Sequence, residues 1–75
     1  MNRAELEALA YDEALCLLET SFSFDNPYTC VIDLPPEISF NDESAFYRQV
    51  EEELAAKGEK IAREGEFFKI LRYQN

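Results

Sequence analysis

Seventy-five residues make one domain, 1–75, near the lower limit for independent folding, because so short a chain buries only about 60% of the surface its unfolded form exposes. At 47% hydrophobic and 13% aromatic residues, the composition is too apolar for a disordered acidic tail. The net charge of -9 disfavours direct binding to nucleic acid or anionic lipid and favours a basic protein surface as partner.

The first segment predicts a helix over about 2–19. Asn2 can cap it, and Glu5, three residues on, completes a capping box. Ala4, Ala8, Tyr11, Leu15, Leu18 and Phe22 recur at spacings of three and four, so this stripe is expected to face the core. Leu6, Leu9, Cys16 and Leu17 fall outside it, which leaves the helix apolar on more than one side. Glu5, Asp12 and Glu19 form a line of negative charges roughly 10 Å apart at about 1.5 Å rise per residue.

Residues 20–24 alternate polar and aromatic side chains, Asp25-Asn26-Pro27 is turn chemistry, and residues 28–34 alternate again, a hairpin signal. In the second strand Tyr28, Cys30, Ile32 and Leu34 share the face expected inside. Pro35-Pro36 ends it, because proline has no amide hydrogen for the ladder, and residues 37–40 form a connection.

Asn41 or Asp42 is expected to cap a second helix, in which Phe46, Tyr47, Val50 and Leu54 fall within about 100° of arc. Lys57-Gly58 reads as a last turn followed by a left-handed stop, although residues 59–64 could extend the helix to Gly65. With the stop at Gly58, residues 60–63 form a strand, Glu64-Gly65 a tight turn and residues 66–73 the partner strand. This last strand is apolar on both faces, with Phe68 and Ile70 on one, and Phe67, Leu71 and Tyr73 on the other. Helices covering both faces is the first expectation, and docking of one face onto a partner the second.

Catalytic chemistry finds little support. There is no histidine to serve as general base and no glycine-rich phosphate loop, since Gly58 and Gly65 are the only glycines. Cys16 and Cys30 lack metal or redox spacing and are expected to be buried free thiols. Glu51, Glu52 and Glu53 are consecutive on a helix and fan out, and no stretch matches a calcium loop, so no metal or cofactor is expected. No run approaches the roughly 18 apolar residues of a membrane span, and the charged start lacks the apolar stretch of a secretory signal; the default location is the cytoplasm.

The charge is spread unevenly. Residues 1 to 56 hold thirteen acidic side chains against Arg3 and Arg48, whereas residues 57 to 75 hold three against five basic ones. In size and acidity the chain resembles the small acidic proteins of phages and mobile elements that inhibit CRISPR or restriction systems, some by nucleic-acid mimicry; the resemblance lies in composition and implies no site.

These readings lead to an α+β domain in which two amphipathic helices pack on a mainly antiparallel sheet of three or four strands, in the order α-β-β-α-β-β. The expected core is Ala8, Tyr11, Leu15, Leu18, Phe22, Tyr28, Cys30, Ile32, Leu34, Phe46, Val50, Leu54, Phe68 and Ile70. The expected function is non-enzymatic binding and inhibition of a basic, nucleic-acid-handling protein through Glu5, Asp12, Glu19, Glu51 and Glu52. The alternative is a structural or regulatory module that docks, or forms a homodimer, through Phe67, Leu71 and Tyr73.

Overall fold

Asn2 starts the first helix as the spacing predicts: its side-chain oxygen accepts the Glu5 amide at 2.9 Å, and its side-chain amide donates to the Glu5 carboxylate at 2.8 Å. In the computed structural model, which describes residues 2–22, 28–32, 34–64 and 67–71, this helix (α1) spans Arg3–Ser21. It overruns the strand expected over residues 20–24. Thr20 donates its hydroxyl to the Cys16 carbonyl at 2.8 Å and Ser21 to the Leu18 carbonyl at 2.7 Å, so residues that alternate like a strand are satisfied inside a helix. Residues 23–27, with the expected turn, lie outside the described residues.

Among the described residues, two helices and one three-stranded antiparallel sheet make an α+β fold. After α1 come β1 (Tyr28–Val31), a 3₁₀ turn (Phe40–Asp42), α2 (Glu43–Ala56), β2 (Lys60–Glu64) and β3 (Phe67–Leu71). Among the described residues the order is the expected one without the first of the two strands after α1. The strands lie β1-β3-β2, so β1 pairs with β3, with Cys30 opposite Phe68, and not with a hairpin neighbour. β2 also pairs with β3, with Ala62 opposite Lys69.

α2 follows the sequence closely. Phe46, Tyr47, Val50 and Leu54 are all buried. Asp42 occupies the cap position but makes no side-chain cap bond; its carboxylate instead accepts the Ser39 hydroxyl at 3.1 Å. The helix stops at Gly58, which takes φ +87°. The Gly58 amide donates to the Ala55 carbonyl at 3.0 Å and the Glu59 amide to the Leu54 carbonyl at 3.2 Å, a Schellman pair that closes the helix and launches β2.

The phase of α1 is the main correction. Its buried residues are Ala10, Ala14, Leu17 and Ser21, each one position before an expected core residue, a rotation of roughly 100°. Ala8 is exposed, Tyr11 is 45% exposed and Phe22 63%, while Leu15 and Leu18 are half-buried. The reason lies in the neighbour. α1 makes its main tertiary contact with α2, whose Phe46, Tyr47, Val50 and Leu54 already supply the bulk, and three of the four buried positions on α1 are small. Leucines on both flanks, Leu6, Leu9 and Leu18, pack against the same core, so several phases bury similar apolar area.

Ile32, Phe46, Val50, Leu54, Phe68 and Ile70 are buried as expected, joined by Ile38 and Tyr47. Tyr28, Cys30 and Leu34 pack at the margin. Tyr47 ties the layers: its hydroxyl donates to the Ile32 carbonyl at 3.4 Å, and its ring meets Phe68 edge-on with centroids 6.0 Å apart. Among the described residues the helices cover only one face of the sheet. Phe68 and Ile70 point into the core, whereas Phe67 and Lys69 are exposed on the other face, contrary to the expectation that helices cover both.

Candidate protein-binding surface

Glu5, Asp12 and Glu19 are all exposed on α1. Counted at about 100° per residue, their line lies roughly opposite the stripe of Ala10, Ala14, Leu17 and Ser21, so it points away from the core. The three carboxylates are thereby held on a rigid, capped helix at intervals of about 10 Å. Cys16 lies beside this line and is exposed, a correction to its expected burial.

The structure does not add Glu51 to that line. Glu51 accepts the Arg63 guanidinium at 2.9 Å, a partly buried ion pair that pins α2 to β2. Its charge is therefore largely compensated within the fold. Glu52 is exposed but stands elsewhere, on the rim of a cleft of about 320 Å³ between the start of α1 and α2. Arg3 and Arg48, the two basic residues of the acidic stretch, line this cleft together with Asp42 and Glu52, so its charges balance. Sequence reasoning missed the convergence. Asp42, Ala45, Gln49 and Glu52 do recur at helical spacing, but which part of α1 lies against them depends on how the helices meet.

Two of the bases fall on another surface. Lys60 and Lys69 are exposed on the sheet face that no described helix covers, beside Val31 and Phe67, which are 48% and 52% exposed and directly opposite one another. Leu71 is half-buried on the same face, and Tyr73 lies outside the described residues. Lys57 takes a different role: its ammonium sits 4.5 Å from the centroid of the Tyr11 ring and 3.8 Å from the Glu53 carboxylate, clamping α1 to the end of α2.

Cys30 offers little nucleophilic potential. Cys16 and Cys30 are both free. Burial first, and the nearby Glu13 carboxylate second, push the Cys30 thiol above its ordinary pKa, which lowers its thiolate fraction at neutral pH. Among the described residues no three His, Cys, Asp or Glu side chains are grouped to hold a metal ion. No described helix is long and apolar enough to cross a membrane.

Comparison with protein-family models, with curated proteins and with solved structures finds no match.

Proposed function

We propose that this chain is a non-catalytic binding protein whose α1 carboxylates dock on a basic surface of another protein, one that handles nucleic acid, and so inhibit it. The observation that carries this reading is the exposure of Glu5, Asp12 and Glu19 along one outward line of α1. The placement of Lys60 and Lys69 on the uncovered sheet face supports it, since cations there do not pair with Glu5, Asp12 or Glu19. Anti-restriction or anti-CRISPR action of the kind found in phages is the specific form proposed.

Charge density argues for ordinary acid-to-base docking rather than imitation of a duplex by α1 alone. Three charges over about 21 Å of helix compare with about twelve phosphates over the same length of DNA. A mimic would need further acidic residues to converge.

The test is a plasmid-transformation assay in cells carrying a restriction or CRISPR nuclease, with the parent chain and with the triple variant Glu5→Gln, Asp12→Asn, Glu19→Gln. Glutamine preserves the cap at position 5. The parent should protect the plasmid, and the folded triple variant should lose protection; equal protection by both would refute the role of these carboxylates. A second reading, docking through the apolar sheet face, draws on the exposed Val31 and Phe67 pair.

A further inference from the structure

β2 is an edge strand. The order β1-β3-β2 leaves its outer side unpaired among the described residues, presenting a row of backbone donors and acceptors. On the uncovered face β2 carries Lys60, Ala62 and Glu64, all exposed, while Ile61 and Arg63 turn toward the helices. Lys60 and Glu64 lie about 13 Å apart along the strand, too far to pair with each other. Neither joins an ion pair among the described residues.

That arrangement is antisymmetric in charge about a small central residue. We propose that β2 is a self-association edge, at which a second copy of this chain adds its own β2 antiparallel with Ala62 opposite Ala62. In this register Lys60 of each copy faces Glu64 of the other, giving two cross-strand ion pairs on one face. The two-fold axis runs through the sheet normal, so both copies keep their helices on the same side and the sheet continues across the junction as six strands. Sliding the register by two residues removes both pairs.

Two considerations favour this edge. Chains of net charge -9 repel, and they meet at least cost through residues 57 to 75, the stretch where bases outnumber acids. The other edge, β1, is Tyr-Thr-Cys-Val, without charge to set a register, and lies near Glu13. Charges on edge strands commonly prevent pairing, but they do so when like charges face one another, whereas here the facing charges are opposite. Five residues make a small contact, so association is weak and concentration-dependent.

The experiment is light scattering on the purified chain over a dilution series from millimolar to micromolar, with circular dichroism confirming that each variant is folded. The parent mass should rise from one chain to two. Lys60→Glu and Glu64→Lys should each weaken the dimer about tenfold or more by setting like charges opposite each other. The double exchange should recover it. Mixing the two single variants should also recover it, because a heterodimer of them again faces every charge with its opposite. A parent that stays monomeric throughout would overturn the proposal. So would single variants that dimerise like the parent, or a double variant and mixture that both fail to recover. A dimer dispersed by Phe67→Ser but indifferent to the single reversals would place the contact on the sheet face and overturn it equally.

Discussion

The phase of α1 can be tested directly, because two alanines on the same helix differ in burial. Ala14 is completely buried on the side of α1 that faces the core, whereas Ala8 is exposed. Ala14→Leu inserts three carbons into a packed contact between helices, and overpacking of that kind costs about 1–3 kcal/mol. Ala8→Leu adds the same atoms in solvent and should stay within about 0.5 kcal/mol. Leucine and alanine both favour helix, so intrinsic propensity does not separate the variants. In a domain of this size 1 kcal/mol shifts the melting temperature by roughly 4–8 °C, which puts Ala14→Leu at about 4–24 °C below the parent and Ala8→Leu within a few degrees of it. Thermal melts followed by circular dichroism, checked by urea midpoints, provide the measurement. If Ala8→Leu fell sharply while Ala14→Leu melted like the parent, the stripe of Ala4, Ala8, Tyr11 and Leu15 would be the buried one. Burial of Ala10, Ala14, Leu17 and Ser21 against the core would then be refuted.

Leu54 is fully buried on α2, and Leu54→Ala should cost about 2–5 kcal/mol, a large share of the roughly 4–11 kcal/mol total for a domain of this length; a melt matching the parent would contradict the core assignment. The thiols should separate in reactivity, with exposed Cys16 modified quickly by a thiol reagent near neutral pH and Cys30 slowly. Glu13→Gln should accelerate Cys30 by removing the secondary cause of its raised pKa, and modification of both cysteines at equal rates would argue against that environment. The sign for stability follows, since folded Cys30 holds its proton more tightly than in the unfolded chain. Its contribution is present below the ordinary thiol pKa and is lost as pH rises through the folded value.

Local signals were legible wherever a residue's own chemistry decided the outcome. Gly58 takes the left-handed conformation that other residues avoid, so the end of α2 and the start of β2 could be read from the Lys57-Gly58 pair. Asn2 and Glu5 marked the start of α1 because a free amide needs an acceptor there. By contrast, Thr20 and Ser21 were misread because a hydroxyl satisfied by a helix carbonyl leaves no trace in an alternating pattern. For the candidate surface, the line of Glu5, Asp12 and Glu19 was visible in their seven-residue spacing, whereas its outward direction followed only from the phase of α1. The capture of Glu51 by Arg63 was not, because these residues lie on different elements and meet only through the packing of α2 against β2.

The sequence alone determined the α+β class, the buried face of α2, the alternate facing of Phe67 and Phe68 and the gross division between an acidic and a basic stretch, since each depends on the period of a single element or on charge counts. Tertiary structure decided the phase of α1, the central place of β3, the uncovered face of the sheet and the convergence of Arg3 with Arg48. These outcomes depend on which surfaces meet. A helix apolar on several sides gains similar burial in more than one orientation, and only the shape of its neighbour selects among them.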